Sequence, residues 1–148
     1  AAEDAVFVAP FAGLGLCAEG GLAWSLSRLM GSGNAVDMLL SAPRVGAQEA
    51  YAKGLVSQLL PTTGFMEAAL DYARAMAASA PASFAMMKQQ LRDADLQDFE
   101  AARAQSFALA RDTLNSEDFK EAIAAKREKR APGFGPVTAE FTPPVSNG

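Results

Sequence analysis

The spacing of apolar residues changes near residue 64, and with it the kind of element each stretch predicts. Before that point, Ala5-Val6-Phe7-Val8-Ala9 is an unbroken run closed by Pro10, the pattern of a short buried strand. Gly20 and Gly21 then precede Leu22, Trp24, Leu26, Leu29 and Met30, whose spacing predicts a short helix with a largely apolar surface. Met30-Gly31-Ser32-Gly33 stops it. Asn34 is placed to cap a second helix over 35–41, with Asp37 three residues on, and Pro43 ends that helix. Residues 47–53 predict another short helix, stopped by Gly54, and 55–60 a strand ended by Pro61. Glu49 and Lys53, four apart, read as a solvated helical ion pair.

From Phe65 onward only helical spacing remains. Phe65, Ala69, Tyr72 and Met76 share one face; Pro81 suits a first helical turn, and Phe84, Met87 and Leu91 form the apolar face behind it. A longer helix is expected over 96–114, carrying Phe99, Ala102, Phe107 and Ala110, with Asp95 as its cap. The last helix opens with Ser116, Glu117 and Asp118 and closes with Lys126, Arg127, Lys129 and Arg130. Acids come first and bases last, as the helix dipole favours, and Pro132 and Gly133 stop it. Residues 136–148 have little apolar periodicity and read as a loosely ordered tail. The expected organisation is a first region over 1–61, a helical region over 62–134 and a tail over 135–148.

Half of the 148 residues are hydrophobic and a fifth are charged, enough for one sizeable core. A net charge of −4 gives no whole-chain attraction to nucleic acid or an anionic membrane, so an anionic ligand needs a local basic patch, which the 126–130 segment offers. With no histidine and one cysteine, the chain has no internal disulfide, no Ser-His-Asp triad and no ordinary zinc site. Cys17 reads as a small core residue, with a thiol lining a site beside Glu19 as the alternative. No apolar stretch approaches the roughly 18 residues of a membrane span, and neither a basic-then-apolar signal nor a terminal Ser-Lys-Leu is present. A cytoplasmic location is expected.

Glu19 is the one acid between Pro10 and Trp24, set among Phe11, Leu14, Leu16, Leu22 and Trp24. An acid ahead of a helix start can simply complement the dipole. In an apolar wall the same carboxylate has its charged form disfavoured and becomes a candidate proton shuttle.

Three motifs sharpen this reading: Pro10-Phe11-x-x-Leu14-Gly15-x-x-x-Glu19-Gly20, a Leu-x-x-x-x-Gly helix end, and Ala47-x-x-Ala50-x-x-x-Gly54-Leu55-Val56. Together they resemble the crotonase (enoyl-CoA hydratase/isomerase) superfamily, and within it most the Δ3,Δ2-enoyl-CoA isomerases. The resemblance covers about 1–134. It implies an α/β fold, the C-terminal part of a crotonase-type ββα spiral, mostly helical after residue 64. Ala1 would then match a point well inside a family chain, and about half of the family fold, including the oxyanion-hole amides, would have no counterpart here.

The resemblance also implies roles. Glu19 would be catalytic, moving a proton from C2 to C4 of a 3-enoyl-CoA, with Phe11, Leu14, Leu16 and Trp24 against the substrate. Family hydratases usually carry a glutamate where Phe11 stands, which favours isomerisation over hydration. Ser116-Glu117-Asp118 and Glu128-Lys129-Arg130-x-Pro-x-Phe resemble the family's C-terminal signature, implying that Lys129, and Lys126 where an aromatic is common, contact CoA phosphates across a subunit interface. No cofactor beyond the CoA thioester substrate, no metal, and a homotrimer or hexamer are implied. The alternatives are an enoyl-CoA hydratase or a non-catalytic acyl-CoA-binding or oligomerisation module.

Overall fold

The computed structural model describes residues 1–136, so the expected tail over 136–148 lies, but for Pro136, outside the described residues. Two compact units divide the chain, Ala1–Tyr72 and the segment from Ala73 on.

In the first unit, β1 (Val6–Phe7) pairs antiparallel with β2 (Val45–Gly46), Val6 opposite Gly46 and Phe7 opposite Val45. The expected strand over 5–9 thus shortens to two paired residues. α1 (Leu22–Leu40) runs through both predicted helices. Only Gly31 leaves helical geometry, at φ 76° and ψ 156°, a conformation that glycine alone adopts without strain. The stop therefore takes one residue, and Asn34 caps nothing: its Nδ2 donates to the Met30 carbonyl at the break, 2.8 Å away. On the inner side of α1, Leu26, Met30, Ala35 and Met38 are buried with Ala9, and Phe7, Phe11, Leu22, Leu39 and Leu55 pack on them. Full burial of a side chain such as Leu26 contributes about 1.5–3 kcal/mol.

α2 (Ala47–Ala52) forms where expected, and Lys53 Nζ meets Glu49 Oε1 at 2.7 Å, with Asp37 3.8 Å away. The Glu49 hydrogen bond holds the Lys53 pKa above its ordinary value. The strand expected over 55–60 does not form. The Leu55 and Val56 amides turn back to the Ala50 carbonyl, and the Gly54 amide to Tyr51, a Schellman ending that commits the start of the segment to α2. Only Leu60 bridges to Ala2, in parallel.

α3 (Phe65–Ala77) crosses the division between the units. In the second unit, α4 (Pro81–Asp93) starts on its proline as expected. α5 (Phe99–Leu114) starts later than predicted and is capped by Asp98, not Asp95: Asp98 Oδ1 accepts from the Ala101 amide at 2.8 Å, while the Leu96 amide is held in a turn by the Asp93 carbonyl. Asp93, 3 % exposed, ties α4 to α5 by accepting from Gln89 and Gln105, each at 2.7 Å. α6 (Glu117–Glu128) is capped by Ser116, as its sequence predicts. Phe84, Met87 and Leu91 do line one side of α4, but all three are exposed.

Candidate active site

The Glu19 segment is shaped by its backbone. Phe11 turns inward, and its carbonyl accepts from the Leu14 and Leu16 amides at 3.0 and 2.9 Å around a 3-10 turn over Ala12–Leu14. Gly15 leaves the turn with φ 70°. Further on, the Leu22 amide donates to the Glu19 carbonyl at 3.0 Å across Gly20 and Gly21, with φ values of 60° and 73°. Positive φ at both central positions is what a type I′ turn demands, which explains the glycine pair. The turn delivers Glu19 immediately ahead of α1.

No side chain caps α1, and no acid lies in its first turn. Glu19 is therefore not a helix-start residue of the ordinary kind. Among the described residues its carboxylate has no hydrogen-bond or ion-pair partner, and it is exposed.

The apolar wall expected around it divides. Phe11 and Leu22 pack on the core cluster, whereas Leu14, Leu16 and Trp24 are 67, 51 and 53 % exposed. Those three stand exposed, before and after Glu19 in sequence, and do not form a buried wall around it. Cys17, expected in the core, is exposed. The 3-10 turn and Gly15 keep 12–17 at the surface, so neither the thiol nor its leucine neighbours reach the core. Arg28 lies over the Trp24 ring, 3.8 Å from its centroid, a contact that the four-residue spacing on α1 could have signalled.

Lys126 and Lys129 belong to the second unit and are exposed at the C-terminal end of α6. Lys129 takes a left-handed conformation, φ 54°, in a second Schellman ending: the Arg130 amide bonds the Ala125 carbonyl at 3.0 Å and the Lys129 amide bonds Lys126 at 3.4 Å. Arg130 is no longer a free member of the basic patch. Its guanidinium grips Glu121 through Nη1 and Nη2, at 2.5 and 2.9 Å, and Glu128 through Nε at 2.6 Å. The sequence reading missed this arrangement because the pair is nine residues apart. Among the described residues no group of three or more His, Cys, Asp or Glu side chains gathers as for a metal, and no helix is long and apolar enough to cross a membrane.

The sequence profile described as enoyl-CoA hydratase/isomerase matches residues 1–136. The chain belongs to that family. It is 35 % identical over 134 residues to a 2,3-dehydroadipyl-CoA hydratase of Escherichia coli, covering 90 % of this chain and 52 % of that protein. To a probable enoyl-CoA hydratase of Rhodobacter capsulatus it is 32 % identical, with the same two coverages. The crystal structure of an enoyl-CoA hydratase from Polaromonas sp. JS666 superposes with a TM-score of 0.85 at 29 % identity, over 90 % of this chain and 52 % of that one. The chain thus spans about half the length of the relatives it matches. Its fold is the C-terminal part of the crotonase fold, mostly helical, as the motifs implied.

Proposed function

We propose that the protein acts on an enoyl-CoA thioester, with Glu19 as the proton shuttle that converts a 3-enoyl-CoA to the conjugated 2-enoyl-CoA. The observation that carries this reading is Glu19 itself: the one carboxylate between Pro10 and Trp24, held out by a Gly-Gly turn, serving no cap and engaged by no described partner. A carboxylate so placed takes a proton from C2 of the acyl group and returns it at C4, provided both carbons lie on its side. The acyl chain, laid on Leu14, Leu16 and Trp24, supplies the apolar cover that those side chains leave open, and excludes water from the transfer. Phe11 acts indirectly, anchoring the turn to the core.

At the other end of the substrate, Lys126 and Lys129 bind the CoA phosphates as exposed ammonium groups, from a neighbouring subunit of a trimer or hexamer. The reaction requires no cofactor beyond the thioester, and the protein works in the cytoplasm.

Hydration is the second reading, favoured by the names of the E. coli and R. capsulatus relatives. Phe11 weighs against it, because a side chain without a polar atom cannot help to activate water. The test compares the native full-length protein with its Glu19→Gln variant on a 3-enoyl-CoA and on a 2-enoyl-CoA, following the ultraviolet absorbance of the conjugated thioester. Isomerisation that falls by about 10²–10⁴-fold in the variant supports the shuttle. Loss of 2-enoyl-CoA absorbance without isomerisation assigns a hydratase instead. Thioester binding with neither reaction assigns a non-catalytic module.

A further inference from the structure

The chain does not simply leave α6 at its C-terminal end. Lys129 reverses its direction, and residues 131–136 run back along the helix: the Gly133 amide donates to Glu121 Oε1 at 2.7 Å, and Gly135 and Pro136 share a cleft with Ser116 and Glu117 at the helix start. The same carboxylate that receives Gly133 is the one gripped twice by Arg130. Both oxygens of Glu121 are thereby committed to the returning strand.

Phe134 is the consequence. It stands half-buried and forms one wall of a cleft of about 510 Å³ among α4, α5 and α6, facing a lining that includes Met86, Met87, Leu109 and Phe119. Ala131, Pro132 and Gly133, just before it, are exposed and bring no apolar surface of their own large enough to hold the strand down.

We propose that Glu121 is the latch of a C-terminal strap: through Arg130 and the Gly133 amide it holds residues 131–134 against α6 and keeps Phe134 in place as the closing wall of the cleft. Two features suit a latch better than a plain surface ion pair. It is bidentate and charge-assisted, and one carboxylate joins a side chain and a backbone donor three residues apart, so that breaking it frees the strand at both points. Lys129 accepts a left-handed backbone where glycine would be usual, which is tolerable when contacts on its far side fix the turn. In the Arg130 and Gly133 bonds to Glu121 the fold has those contacts.

Amide hydrogen exchange on the full chain tests the latch directly. In the Glu121→Gln variant the Gly133 amide should exchange at least about tenfold faster than in the parent, reflecting the loss of a charged acceptor. Trypsin should then cut faster after Arg130, which keeps its bond to Glu128 but no longer has the chain after it folded back on Glu121, while circular dichroism shows α6 retained. Glu100→Gln, which removes an exposed pair with Arg103 on α5, should change neither reading. A Phe134→Ala variant guards against the reverse causality: Gly133 protection should persist without the ring. Loss of protection in Phe134→Ala, together with its retention in Glu121→Gln, would show that ring packing holds the strap and would overturn the proposal.

Discussion

Gly54 is the position where a single methyl group should do most harm in the first unit. It ends α2 at φ 79°, and a Cβ built there would lie 2.8 Å from the Leu29 carbonyl oxygen of α1. That oxygen belongs to the backbone two residues before the Gly31 break, so it has no rotamer with which to move aside. Gly54→Ala therefore carries two costs. The left-handed backbone costs an L-residue about 1–2 kcal/mol. Forcing α2 away from α1 adds about 1–3 kcal/mol, the range of overpacking substitutions. Gly64 supplies the control, with nearly the same backbone, φ 76°, and nothing within 4 Å of its Cβ position, so that Gly64→Ala carries the backbone cost alone. Urea unfolding followed through Trp24, the single tryptophan and a member of the first unit, reads both. With a urea dependence of about 2 kcal/mol per molar, the Gly54→Ala midpoint should fall about 0.5–1.5 M below that of Gly64→Ala. Equal midpoints would refute the argument that α2 approaches the α1 backbone too closely to admit a side chain.

Three further outcomes follow from the second unit and its caps. Asp98→Ala should cost about 1 kcal/mol of stability, the usual worth of an N-cap, in urea unfolding followed by far-ultraviolet circular dichroism, whereas Asp95→Ala should leave α5 capped. Asp93→Leu leaves the Gln89 and Gln105 amides without their acceptor between α4 and α5, at about 1–3 kcal/mol for each donor kept from water. The Arg130 guanidinium, then the Gly133 amide, hold the Glu121 carboxyl down to about 2 from an ordinary 4.5. A folded-state pKa below the unfolded one gives stability that is fully present above pH 4.5 and lost as pH falls toward 2, so Gly133 protection should be flat from pH 5 to 8 and decline only below that window.

The helices after residue 64 were legible because their signals are local. Pro81, the Ser116 cap and the acid-to-base gradient of α6 each act within one turn, and all three appear where expected. Asp95, the expected cap, is displaced by Asp98 because the Asp93 carbonyl holds the Leu96 amide in a turn, and that turn depends on how α4 ends. The missing strand over 55–60 has the same cause in reverse. Its apolar run looks like a strand in isolation, but the glycine before it invites a Schellman ending, and two of its amides are spent on α2. Asn34 starts no helix because Gly31 alone makes the break, and α1 continues through the position where a second start was expected.

The segment around Glu19 shows where hydrophobicity stops predicting burial. Its apolar residues were expected to form one wall, yet the backbone sorts them: Phe11 precedes the 3-10 turn and Leu22 follows the Gly-Gly turn, and these two reach the core. Leu14 ends the 3-10 turn, and Leu16 and Cys17 lie between it and the Gly-Gly turn, on backbone that Gly15, Gly20 and Gly21 carry through positive φ, and all three remain outside. Trp24, in the first turn of α1, is exposed, whereas Leu26 and Met30 are buried. Exposure alone does not mark this segment, since Leu40, Leu91, Leu96 and Phe99 are more exposed than any of the three; what sets it apart is that Glu19, the acid between them in sequence, engages no described partner. The arrangement becomes intelligible if an apolar substrate covers that surface and Glu19 meets its reacting carbons there. The glycines then serve the site rather than the core, since they expose the acid and its apolar neighbours together while Phe11 and Leu22 keep both ends of the segment fixed.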